Sequence, residues 1–68
     1  MGFNLRGAIM SNIQGSSQEE VEATIVDALD NGEEKMLPGL GVLLEVYWQN
    51  ANESEKEQLC AEISKGLN

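Results

Sequence analysis

Apolar residues return at helical spacing in four stretches of the chain, separated by capping and turn residues. The first opens at Asn4, a good N-cap, and sets Leu5, Ala8, Ile9 and Ile13 on one face before Asn12 to Gly15 breaks it. In the second, Ser17 stands three residues before Glu20, the spacing at which each side chain satisfies the other's backbone donor. Val21, Ile25, Ala28 and Leu29 follow as a stripe, and Asn31-Gly32 supplies a left-handed stop. Flanks of period 3.6 argue against reading Asn31-Gly32 as a β-hairpin turn. One helical turn over Glu33 to Met36 leads to a boundary near Leu37, because the residue before proline is pushed out of helical geometry. The third stretch then runs to about Ala51, with Leu40, Leu43, Leu44, Tyr47 and Ala51 at helical spacing and Val42 and Val46 on part of the opposite side. Glu45, Gln49 and Asn52 form its polar stripe. The fourth starts at one of two overlapping capping boxes, Asn52 with Glu55 or Ser54 with Glu57. It turns Leu59, Cys60, Ile63 and Leu67 inward, lays the Lys56 stem along that face and ends at Gly66.

This pattern predicts an all-α fold: a small bundle of about four short helices around a central apolar helix at about 38–51, the whole of 1–68 forming one domain. Leu37, Pro38, Gly39, Leu40 and Gly41 form the structural corner on which it hangs. Proline suits the first turn of a new helix, and the glycines allow close backbone approach. Leu43 and Tyr47 are expected in the core. The central helix carries more apolar circumference than three short neighbours cover, so homodimerisation is expected through the surplus at Val42, Val46 and Trp48.

A chain of 68 residues sits where one core supplies only about 3 to 5 kcal/mol, which sharpens the expectation of association. The formal net charge is -8 and the pI about 4.1, with Arg6, Lys35, Lys56 and Lys65 scattered, so neither nucleic acid nor anionic lipid has a basic footprint to meet. The carboxylates read as a solvated helix surface. No run reaches the roughly 18 apolar residues that a membrane span needs, and the opening apolar patch, Met1 to Met10, is too brief for a signal segment. A soluble protein retained in the compartment where it is made is expected.

The single cysteine, Cys60, has no internal disulfide partner and is read as a small core residue. Without histidine, and with no base evident beside Cys60, no nucleophile pair or zinc site assembles, and no enzyme activity, metal or cofactor is expected. The acidic run from Asp27 to Glu33 fails the ligand spacing of a calcium loop. Tyr47 and Trp48 are read as core, or as a dimer contact if they project outward. Leu37 to Gly41 also resembles the hairpin of helix-hairpin-helix modules, in which glycine amides, here Gly39 and Gly41, contact a phosphate. Glu33, Glu34 and Glu45 surround that segment, the wrong sign for a polyanion.

A broader resemblance rests on Asn4-Leu5-Arg6, on Thr24-Ile25-Val26-Asp27-Ala28 and above all on the block Gly32-Glu33-Glu34-Lys35-Met36-Leu37-Pro38-Gly39-Leu40-Gly41-Val42-Leu43, with Trp48 after it. These stretches look like the type I family of minor small acid-soluble spore proteins, at matching length. The resemblance implies a sporulation protein made in the forespore cytoplasm and stored in the spore core. It implies no reaction and carries over no ligand residues, and it does not extend to the spore proteins that coat DNA. Gly7 stands where the family pattern has histidine and Leu44 where it has phenylalanine, the first weakening helix one and the second making the core smaller. Three function classes stay open: a non-enzymatic spore-core protein acting through an unknown protein partner or as a stored component, a nucleic-acid phosphate binder at Gly39 and Gly41, and an acidic regulator of a basic partner.

Overall fold

The computed structural model describes residues 4–68 and folds them into α1 (Leu5–Ile13), α2 (Gln18–Asn31), α3 (Leu37–Asn50) and α4 (Glu53–Leu67), with a 3-10 turn, Glu34–Met36, between α2 and α3. The fold is all-α, with α3 at the centre, packed against α1 and α2. The first three residues of the opening apolar patch lie outside the described residues.

Local chemistry sets the helix ends. The Gly7 amide donates to Asn4 Oδ1 at 3.0 Å, capping α1. A Cβ at position 7 would stand 2.8 Å from Asn4 Nδ2, so the glycine that weakens α1 also leaves room for its cap. At α2 the Glu20 amide donates to Ser17 Oγ at 3.2 Å and the Ser17 amide to Glu20 Oε1 at 2.8 Å, and Gly32 closes the helix at φ 67°. At α4 the chain uses Asn52 with Glu55, each backbone amide donating to the other's side chain at 2.9 and 2.8 Å, and not Ser54 with Glu57. Gly66 does not end α4, which continues to Leu67.

The Leu37 to Gly41 segment is helix, not a hairpin. The 3-10 turn feeds directly into α3: the Leu37 amide donates to the Glu34 carbonyl, and that bond keeps Leu37 helical at φ -60°, ψ -42° against the preference imposed by Pro38. Pro38 falls in the first turn, where a missing amide costs nothing. Gly39 and Gly41 keep negative φ, and a Cβ at either would meet nothing within 4 Å, so no close approach among the described residues explains them.

Burial is sparse. Among the described residues, Ala28, 5% exposed, and Val42, 6%, are the buried hydrophobic ones. Val42 is therefore interior and not part of an apolar surplus: Leu5 and Ile9 of α1 lie beside it and Pro38. Leu43 is half-buried, whereas Tyr47 and Trp48 are exposed. Cys60 is exposed as well, in a hollow it shares with Trp48 of α3, and so are Ile63 and Leu67 farther along α4. Leu29, 65% exposed, lines a shallow hollow beside the 3-10 turn, with Leu37 and Leu40 of α3.

Candidate functional site

The four helices leave a cleft between them. Its volume is about 570 Å³. Leu40 and Leu43 of α3 lie half-buried along it, α2 contributes Val21 and Ile25, α1 contributes Met10 and Ile13, and Leu59 of α4 closes one side. Leu44, Val46 and Tyr47 line it too and remain exposed, because none of the described residues covers them. The lining polar side chains are few: Gln14 and Ser16 in the α1–α2 turn, and Tyr47. The Tyr47 hydroxyl already donates to the Glu55 carbonyl at 3.2 Å, which ties α3 to α4. Such a surface can exclude water from an apolar ligand or partner and has little with which to orient a polar one.

Helix periodicity brings these residues to one side, and the capped turns fix how the helices fan apart. The α1–α2 connection is short because Gly15, at φ 82°, reverses the chain there, and it forms one rim of the groove.

A second hollow lies on the other side of Leu44, lined by Arg6, Leu44, Glu45, Trp48 and Gln49. Here Arg6 Nε and the guanidinium NH2 donate to the two Glu45 carboxylate oxygens at 2.7 Å each, a bidentate pair joining α1 to α3. Those hydrogen bonds hold the Glu45 carboxyl below the usual carboxylate range, against desolvation, and raise Arg6 further. Both side chains are well exposed, so the pair orients α1 more than it stabilises the fold. No sequence signal pointed to it, since the partners stand 39 residues apart. Beyond it, Lys56 Nζ sits over the Trp48 ring, 5.2 Å from its centroid.

The sequence-predicted site residues part company. Val42 is inside, Val46 lines the groove and Trp48 faces the second hollow. Gly41 is the fifth residue of α3, beyond the first four amides that lack an intrahelical partner; Gly39 is among those four and half-buried. Each basic side chain already has a carboxylate neighbour: Arg6 with Glu45, Lys35 with Glu33 at 3.3 Å, Lys56 with Glu53 at 3.6 Å and Lys65 with Glu62 at 3.8 Å. Among the described residues no cluster of histidine, cysteine and carboxylate side chains gathers as a metal site, and no helix is long and apolar enough to cross a membrane.

Residues 3–67 match the family model described as "Small, acid-soluble spore protein I". Proteins of that name are similar along their whole length. The one from Shouchella clausii (strain KSM-K16) is 79% identical over 68 residues, covering 100% of this chain and 99% of the relative. The one from Halalkalibacterium halodurans is 73% identical over 67 residues, 98% of each chain. That from Bacillus mycoides (strain KBAB4) is 57% identical over 67 residues, 98% of this chain and 97% of the relative. No solved structure matches the chain.

Proposed function

The chain belongs to the small, acid-soluble spore protein I family, and from that premise we propose that it is a non-enzymatic protein of the bacterial spore core, made in the forespore, that acts by contact with another protein through its apolar groove. The observation that carries the reading is the groove itself: all four helices line it, and its exposed rim residues Leu44, Val46 and Tyr47 have no cover among the described residues. Apolar surface left open in this way is the usual mark of an interaction site. Acid–base or nucleophilic catalysis needs titratable groups facing one another in a cleft, and the groove lining offers an amide, a serine and a tyrosine already committed to a carbonyl.

Dilute-acid extraction of dormant spores and of vegetative cells, with a fluorescent fusion followed through sporulation, tests the localisation. The protein is expected in the acid extract of spores and in the forespore; equal amounts in vegetative cells would sink the reading. A photo-crosslinking residue at position 46 tests the contact. It should give a protein adduct inside spores, and a crosslinker at position 29 should not; an absence of adducts from position 46 would remove the groove from the function.

A further inference from the structure

The chain exposes 5659 Å², whereas a folded monomer of 7.4 kDa exposes about 4,200 Å². The excess is still about 1,100 Å² after the three residues outside the described ones are granted fully extended surface. Its radius of gyration, 13.3 Å, exceeds the roughly 11 Å of a compact chain this long. A specific interface buries about 800 Å² on each side, so the missing burial is the size of one protein partner, while a small ligand in the groove would hide far less.

Two apolar surfaces are open, and they differ in shape. One is the concave groove. The other is a ridge along α4, where Leu59, Ile63 and Leu67 recur every fourth residue: Leu59 lines the chain's own groove, but Ile63 is 46% exposed and Leu67 80% exposed, running past it with no partner. A ridge cannot cover itself, and a groove cannot fill itself. In a two-fold pair both needs are met at once, since any contact of one surface with the other occurs twice.

We propose that a second copy of this chain covers the groove, each copy laying the Ile63 and Leu67 ridge of α4 against Met10, Leu44 and Val46 of the other. This rests on reading the groove as a protein-contact surface and names the partner. Each copy carries a charge of -8, so association works against repulsion and strengthens as salt screens it.

Sedimentation equilibrium and thermal melts of the full chain, over a roughly hundredfold concentration range and at low and high salt, test it. The expected result is a mass of twice 7.4 kDa, favoured by salt, with a melting temperature that rises with concentration. Cys60, exposed beside the ridge, should be alkylated more slowly as concentration rises. Ile63→Glu and Leu67→Glu should each weaken association at least about tenfold, while Leu29→Glu, on an exposed leucine outside the interface, should not. Leu67 has almost nothing to lose within one chain, so unfolding of Leu67→Glu where the parent stays folded also reads as lost association. A monomer with an invariant melting temperature overturns the proposal, as does a dimer that survives both ridge substitutions. If that monomer is stabilised by a bound apolar dye, the groove belongs to a small molecule. Position 46 crosslinked in spores to a protein of another mass, with the purified chain monomeric, overturns the self-association and leaves the protein-contact reading standing.

Discussion

Replacing Gly41 by alanine should stabilise the protein, and the same replacement at Gly32 should destabilise it. Gly41 lies inside α3 with negative φ, and a Cβ there meets nothing within 4 Å. Alanine then adds no clash, restricts the unfolded chain and has the better helix propensity, a gain of about 0.5 to 1 kcal/mol. Gly39 is equally open but stands in the first turn, where propensity counts less, so Gly39→Ala should add a few tenths of a kcal/mol, roughly. Gly32 also has free space around it, yet its φ is 67°, and forcing alanine into the left-handed region costs about 1 to 2 kcal/mol. Far-UV circular dichroism melts at one fixed protein concentration read the difference: a gain of 1 kcal/mol raises the midpoint by about 4 to 8 °C in a domain this small. Urea titration should show the same ordering with an unchanged slope. A loss of stability in Gly41→Ala would refute the reasoning and show that something outside the single chain approaches this face of α3 closely.

Other substitutions separate interior from surface. Val42→Ala should cost about 1 to 3 kcal/mol and Leu43→Ala about 2 kcal/mol in urea unfolding, while Leu29→Ala stays within about 0.5 kcal/mol of the parent; an equal cost at all three would deny that α3 is the centre. The folded pKa of Glu45 is depressed by Arg6, so the pair contributes stability that is present above the ordinary carboxylate range and lost as pH falls through the lowered value. Glu45→Gln should flatten the acid limb of a melting-temperature profile, and an unchanged limb would mean that the pair contributes nothing in solution. Duplex DNA should not be retarded in a gel shift at about 150 mM salt, because counterion release needs free Lys and Arg, and each of those here has a carboxylate within 4 Å. Retardation at low micromolar protein that is lost in Gly39 variants would restore the phosphate-binding alternative.

Helix identity and most helix ends were legible in the sequence because their causes are local. Asn4, Ser17 with Glu20, Gly32 and Asn52 with Glu55 each act across three or four residues, and each cap forms as its spacing implies. The competition between two boxes at α4 needed the structure to decide it, and so did the end of that helix, which runs past Gly66 to Leu67. What periodicity cannot supply is the arrival of a neighbour. Ile63 and Cys60 do share a face with Leu59, yet the fan of helices brings cover to Leu59 and stops short of the others. Val42 went the opposite way: it stands off the main apolar stripe of α3, and α1 lands on it. At the corner the boundary at Leu37 and the place of Pro38 in a first turn were legible, but not the helical Leu37, since the proline rule is a preference that the continuous hydrogen-bonded path from Glu34 into α3 overrides.

The groove follows from the same feature that makes α3 central. A helix apolar around most of its circumference needs cover on every side, and three neighbours held apart by tight capped turns bury Val42 under α1 and leave Leu44, Val46 and Tyr47 exposed. The sequence carries that surplus openly, but whether it becomes core, groove or dimer seam depends on how the helices fan. Surface charge then sets the terms on which the surplus is used. A formal charge of -8 opposes the approach of a second copy at long range, while the apolar contact acts only after the surfaces meet. Association governed by two terms of different reach responds to salt and concentration far more than to any single contact. A neutralising substitution at an exposed residue that does not line the groove, such as Glu22→Gln on α2, should therefore favour the pair, and by more at low salt than at high.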